Sequence, residues 1–423
     1  MFKRVIGLIL LLSVILGATP RVATGLSSKD VALAFVWQDT VTLADASGVP
    51  IQSIGPTFSY GQGARLFWTP DANKLYIACN DGLYVTGPEG AASVQIPGSY
   101  GRTLTFSQDG ATLFYLETTA PQPLDAPSGD NTPTPAQTQG RVAYPLREME
   151  LALADGDAGR LTGYLGRFDA NSSSAMIAFA TMLYARDGGL LGSGRPELWP
   201  TYGSNIFATC CFPDSGLGIY DIHTGAFDVY AYDFMPGAAA LNLTRTHLAG
   251  PTTAGKTIRV IDLITAGERD YTIELAGGLG TIERVAWSPD DTYLYFVARS
   301  APQTPLSTTG QPTLPIDTNS ANIDLYRLNL VTGVIRKLAW RADVYGVSSL
   351  AATDRYVFAV VVDPNTALIN AWNAGEVRYD AQPTDADMAG YMPQTHLWRV
   401  SADGSESVDV LTDVWGLAAR PIR

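Results

Sequence analysis

From Val31 to Pro421 the chain alternates short apolar runs with polar breaks that carry Gly, Pro, Asp or Ser, a pattern that predicts strands and tight turns. The clearest unit runs from Val285 to Val297 and resumes from Asp324 to Leu338. It reads as four strands. Strand a ends at Trp287, Ser288-Pro289-Asp290-Asp291 turns the chain, strand b runs from Tyr293 to Val297, and strands c and d reverse across Thr332-Gly333. Pro presets φ in such a turn, and Asp hydrogen-bonds the backbone two residues on.

Strands a and b recur at Leu66 to Asp71 with Lys74 to Ala78, and at Leu104 to Gly110 with Thr112 to Leu116. The turn between c and d needs a residue tolerant of positive φ, and its glycines are Gly48, Gly90, Gly159, Gly225, Gly267, Gly333 and Gly404. They predict seven units. Gly48 to Gly90 and Gly225 to Gly267 are each 42 residues apart, within the roughly 40 to 45 of a four-stranded propeller blade. The longer intervals hold insertions at Thr118 to Val142, Arg167 to Ser204, Ser300 to Asn322 and Asp380 to Gln394. Residues 171–189 read either as a capped helix or as the long strand a of the fourth unit, with the strand favoured.

Val31 to Trp37 reads as a strand b without its strand a, and Val414 to Pro421 as a strand a with nothing after it. The expected fold is therefore an all-β, seven-bladed β-propeller over 26–423, a single domain closed by the C-terminal strand completing the first blade. Closure leaves only short blade edges exposed. The Trp-Ser-Pro-Asp turn followed by Leu-Tyr-Phe-Val resembles the repeats of TolB-type and WD-repeat-like propellers. That resemblance implies a propeller fold and a place outside the cytoplasm, but no particular function, since the fold carries many.

Lys3 and Arg4 precede an apolar run from Val5 to Leu16, which reads as a secretory signal over 1–25, with an uncleaved N-terminal anchor as the alternative. Twelve helical residues rise about 18 Å, short of the roughly 30 Å hydrocarbon core. The mature protein is expected to be exported as a soluble monomer, to the periplasm, the cell surface or the medium, with no membrane span. The formal charge of -13 and the lack of a Lys/Arg-dense run argue against nucleic acid as a partner. Three Cys form no disulfide framework; Cys79, Cys210 and Cys211 are expected as buried free thiols, with a bridge between the adjacent Cys210 and Cys211 as the alternative.

The three His, at His223, His247 and His396, fall in separate units, no Gly-x-Ser-x-Gly elbow is present, and no Cys pair has zinc spacing. No catalytic residue, metal or cofactor is therefore assigned. Asp317 to Asp324 offers oxygen ligands but lacks the Gly and terminal Glu of a calcium loop, and Asp155 and Asp157 belong to a turn. Asn171 and Asn242 each begin a glycosylation-type triplet.

Antiparallel geometry puts the a-to-b and c-to-d turns on one face, and the b-to-c loops and the connections between units on the other. The Pro-rich insertions of the third, sixth and seventh units crowd that second face, where loops on a rigid scaffold usually bind. Before strand a, the connections repeat an aromatic residue and Gly: Tyr60-Gly61, Tyr100-Gly101, Tyr345-Gly346 and Trp415-Gly416. With Arg65, Arg102, Arg284, Arg341, Asp343 and Asp413 they make a candidate basin for a glycan, a peptide or a small anion at a channel mouth. The favoured function is a non-catalytic scaffold binding a protein or small ligand. A propeller enzyme of lyase or lactonase type, with its site at that mouth, is the alternative from another class. A purely structural envelope protein is the third.

Overall fold

The computed structural model describes residues 30–57, 64–79, 82–90, 93–96, 104–106, 112–116, 122–123, 142–150, 160–167, 198–200, 205–209, 217–221, 227–231, 233–274, 281–299, 321–376, 391 and 393–421. Expectations for residues 1–25, 171–189, Asp155, Asp157, Gly159, Cys210, Cys211, His223 and Gly225 fall outside them, as do nearly all of the four insertions.

Among the described residues the strands form seven antiparallel sheets. The first holds β1 (Leu33–Trp37), β2 (Thr40–Ala44) and β3 (Pro50–Thr57); the second, β4 (Arg65–Trp68), β5 (Leu75–Cys79), β6 (Gly82–Thr86) and β7 (Val94–Ile96). The third holds β8 (Leu104–Phe106), β9 (Thr112–Leu116), β10 (Gln122–Pro123), β11 (Val142–Glu150) and β12 (Arg160–Arg167). The fourth holds β13 (Leu198–Pro200), β14 (Asn205–Thr209), β15 (Leu217–Asp221) and β16 (Phe227–Ala231), and the fifth β17 (Ala240–Leu241), β18 (His247–Pro251), β19 (Thr257–Asp262) and β20 (Glu268–Thr272). The sixth holds β21 (Thr281–Trp287), β22 (Tyr293–Arg299), β23 (Ala321–Asn329) and β24 (Ile335–Val344). The seventh holds β25 (Gly346–Ala352), β26 (Tyr356–Val362), β27 (Thr395–Ser401) and β28 (Ser407–Thr412); a helix, α1 (Thr366–Ala374), lies between β26 and β27. The last strand, β29 (Val414–Ala419), returns to the first sheet and pairs antiparallel with β1, Leu33 opposite Ala419 and Trp37 opposite Val414.

The turn after strand a has the chemistry its sequence suggests. Ser288 Oγ donates to Asp290 Oδ1 at 2.6 Å, Thr292 N–H donates to the same oxygen, and Asp291 takes φ 58. Thr69, Asp71, Asn73 and Ala72 repeat these roles, Ala72 at φ 62. Between c and d, Gly48, Gly90, Gly333 and Gly404 have positive φ, whereas in the fifth sheet Ala266 takes it (φ 55) and Gly267 does not. That corrects the turn assignment at Gly267 by one residue.

The core lies between sheets rather than within them. Second strands are buried on both faces, as in Leu75–Cys79 and Val357 to Val362. Leu33 and Phe35 pack with Phe358, Val360 and Leu397 between the first and seventh sheets. Ile258 and Tyr271 pack with Val285 and Phe296 between the fifth and sixth. Each such side chain contributes about 1.5 to 3 kcal/mol by leaving water, and no sheet could gain it alone. First strands lie side by side from β17 through β21, β25 and β29 to β4, and β8 lies beside β13.

Three elements depart from expectation. The strand preceding β14 in its sheet is Leu198–Pro200, downstream of the segment expected to supply it. The first residues of the 118–142 insertion add a fifth strand, β10, paired to the start of β11. The b-to-c connection of the seventh sheet begins with α1, upstream of the Asp380 to Gln394 insertion and not among the expected elements.

Candidate functional site

Each first strand has a leading end, reached from the previous sheet, and a turn end before its second strand. The candidate basin belongs to the leading ends. Tyr60, Tyr100 and Arg102 lie outside the described residues; the other seven candidates are described.

Arg284, on β21, bridges to the next sheet: its Nε donates to the Ser348 carbonyl of β25 at 3.1 Å, and Nη1 donates to the Glu283 carbonyl at 2.7 Å. Tyr345, in the connection before β25, is anchored by its N–H on the Val362 carbonyl, and the Arg299 guanidinium lies 5.9 Å from its ring centroid. Arg299 Nε meets Glu283 Oε1 at 2.5 Å, and Glu283 Oε2 accepts the Val347 N–H at 2.9 Å. Arg284, Glu283, Arg299 and Tyr345 thus meet where the sixth sheet passes into the seventh. Glu283 and Arg299 were missed because their contact depends on cross-strand register across a bulge in β21, which no local spacing reveals.

Asp343 and Asp413 play a different part from the one expected. They occupy equivalent places in Asp343-Val344-Tyr345-Gly346 and Asp413-Val414-Trp415-Gly416, with φ of 54 and 58. Asp is among the few side chains that tolerate the left-handed region. It lets the chain leave an outer strand, after which Val344 and Val414, both fully buried, plug the core. Gly416 is required twice over: its φ is 49, and a Cβ there would stand 3.0 Å from the Ala64 carbonyl oxygen. Trp415 packs half-buried against the core between the first two sheets.

Arg341 is not at the mouth. It lies on the outer strand β24 and pairs with Asp409 on the outer strand β28. Arg65 opens β4, its guanidinium 5.4 Å from the Phe67 ring.

A cavity of about 170 Å³ lies at the opposite, turn end of the first strands. Ala240, Ala286, Ala351 and Ala419, from four sheets, leave the space, with Trp287 and Arg420 among its walls. Trp287 Nε1 donates to the Ala240 carbonyl at 2.8 Å, so the tryptophan closing β21 joins two sheets. Arg420 Nε donates to the Ala72 carbonyl, and the guanidinium lies 5.5 Å from the Trp68 ring centroid. The signal in the sequence is an Ala near the end of the first strand in these four sheets, where the second sheet has Phe67.

Beside this cavity Asp291 Oδ2 accepts from Asn242 Nδ2 and Thr244 Oγ1, and burial raises its pKa. Burial also pushes the nearby Arg245 guanidinium down to about 10. Asn242 is 3 % exposed and its amide nitrogen contacts Thr244, Thr246 and Asp291, a poor state for a glycosylation acceptor. Cys79 is buried, its Sγ 3.2 Å from the Gly82 carbonyl oxygen. Asp324 pairs with Lys337 at 2.7 Å, and no group of three metal-ligating side chains occurs among the described residues. No helix among them is long and apolar enough to cross a membrane.

No family model matches this chain, and neither does any curated protein. Solved structures do. The periplasmic gluconolactonase of Pseudomonas aeruginosa is 11% identical, with 92% of this chain and 99% of that one covered at a TM-score of 0.50. A structure described as TolB from Agrobacterium tumefaciens is 12% identical over 90% and 89%, at 0.35. The dihydro-heme d1 dehydrogenase NirN is 14% identical over 96% and 78%, at 0.44. The likeness to the gluconolactonase, at 11% identity, speaks for the fold alone.

Proposed function

We propose that this chain is an exported, seven-bladed β-propeller, closed by β29 completing the first blade, that serves as a non-catalytic scaffold binding a protein or small ligand. Core packing between successive sheets, as from the fifth to the sixth and from the seventh to the first, together with the β1–β29 pairing, supports the ring. The signal-like residues 1–25 support export.

The observation that carries the binding reading is the Arg284, Glu283, Arg299 and Tyr345 group at the leading ends of the first strands. It opens on the same side as the b-to-c connections of the third, sixth and seventh sheets, which hold the Pro-rich insertions. Aromatic faces with guanidinium donors suit a glycan or a peptide. Glu283 is already tied to Arg299 and to the Val347 N–H, an arrangement better suited to shaping a surface than to moving protons.

The test is a glycan array and a peptide-library screen on the whole chain, followed by titration calorimetry of the hits. Changing Tyr100→Ala and Tyr345→Ala together should weaken binding at least about tenfold, as losing aromatic contacts does, while leaving the thermal midpoint near the wild-type value. A collapse of the midpoint would make the two tyrosines wedges of the core and remove the proposed basin. An empty array, an empty screen and an empty pull-down would together favour the structural envelope reading.

A further inference from the structure

We propose that His396 is the proton-sensitive clasp of the α1-bearing connection, bound between Asp363 at the foot of that connection and Asp409 on the outer strand of the same sheet. The connection leaves β26 at Asp363 and rejoins the sheet at Gln394, and the Asp363 N–H donates to the Gln394 carbonyl at 2.9 Å. His396 stands one residue into β27, its side chain 14% exposed, with Nε2 2.8 Å from Asp363 Oδ2. Its Nδ1 is 3.6 Å from Asp409 Oδ2, is buried, and has no hydrogen-bond partner.

Both ring nitrogens therefore point at carboxylates, a geometry that a neutral ring serves only by half. Neutral imidazole has one donor, which the shorter contact to Asp363 uses, leaving the other nitrogen's lone pair toward an anion. The imidazolium has two donors and satisfies both carboxylates. Arg341 of β24 holds the other side of Asp409, so the charged groups at the ring are two carboxylates and one guanidinium. A charged ring balances them and a neutral one leaves an excess negative charge.

The clasp has an element to act on. Asn365 Oδ1 accepts the Leu368 N–H at 3.1 Å and so caps α1, and the Asn365 amide donates to the Tyr391 carbonyl on the returning limb. The Tyr391 hydroxyl reaches Glu376 beyond the helix, at 3.3 Å. Leu368 and Ala371 bury the inner side of the helix. Protons on the ring thus tighten the neck from which α1 is held, and imidazoles as a class change charge between about pH 5 and 8. The clasp does not draw on the Arg284, Glu283, Arg299 and Tyr345 group: His396 lies on β27, Asp409 on β28 and Asp363 just past the end of β26.

Hydrogen exchange of the full chain, with each rate referred to its intrinsic value, tests it at about pH 5.5 and about pH 7.5. Wild-type amides of α1 and of Asp363 should be about threefold better protected at the lower pH, the size of a partly exposed ion pair. His396→Gln, which keeps one donor at every pH, should abolish that difference, and Asp409→Asn should reduce it. Equal wild-type protection at both values would overturn the clasp, as would a difference that survives in His396→Gln. Should that variant fail to fold, an undiminished difference in Asp409→Asn overturns it.

Discussion

Asp403 illustrates how much of this fold is carried by single turn carboxylates. It sits between β27 and β28, accepting hydrogen bonds from Ser405 Oγ at 2.7 Å and from the Ser405 N–H at 3.0 Å. Those bonds hold its pKa at about 2, against an ordinary 3.8. Asp71 and Asp290 reach the same state against resistance: burial pushes them up, but hydrogen bonds from Thr69 and Ser288 prevail and leave both below the usual range. For each, the folded state prefers the ionised form, so the contribution is complete above the unfolded value near 3.8 and is lost as pH falls through the lower folded value. Carbon-detected titration of the Asp403 carboxyl should give a midpoint near 2 that climbs toward 3.8 in Ser405→Ala. An unchanged midpoint would mean that the Ser405 hydroxyl does not hold the ionised form. These positions were legible in sequence because Ser-x-Asp is local chemistry. Asp343 and Asp413 were legible as a repeated pair but not in their role, because a positive φ leaves no mark on composition.

At the scale of elements, what could be read depended on how local each signal was. The hairpins of the second and sixth sheets follow from alternating apolar runs around a fixed turn. The helix α1 is a short element between two strands of a repeat whose pattern predicts strands and loops alone. Its own signal was present: Asn365 before Thr366, then Leu368 and Ala371 three residues apart facing the core. Asn365→Ala removes the cap and the tie to Tyr391 together, and should cost the helix about 1 kcal/mol. The loss should appear as faster exchange confined to 366–374 and the neck, with β26 and β27 unaffected. Exchange spreading through the whole seventh sheet would mean that the helix is integral to that sheet. Arg341 shows the opposite limit: from sequence it borders a connection, but strand β24 runs on to Val344 and carries it to the periphery, beside Asp409.

For the whole molecule, the decisive contact is between its two most distant described segments. β29 gives β1 its antiparallel partner, packs beside β25 and β4, and brings Val414 into the core between the first and seventh sheets. The Arg420 N–H adds a bond to the Ala32 carbonyl, and its guanidinium reaches the Ala72 carbonyl in the second sheet. Without this strand β1 keeps one hydrogen-bonded neighbour, and Ala34, Phe35 and Val36, all buried, lose their cover on that side. An uncapped edge with apolar faces is a poor end for a stack of sheets that cannot hide their surfaces singly. A chain shortened to end at Thr412 should therefore lose far more than the few kcal/mol of its missing contacts. Because the ring is proposed to fold as one unit, its thermal midpoint should drop by tens of degrees or its cooperative transition should vanish, with near-ultraviolet dichroism following. A shortened chain that melts within about 5 °C of the intact one would mean that the sheets stand as an open array. The proposed closure would fall with that result, and with it the grouping of insertions and leading ends around a common mouth.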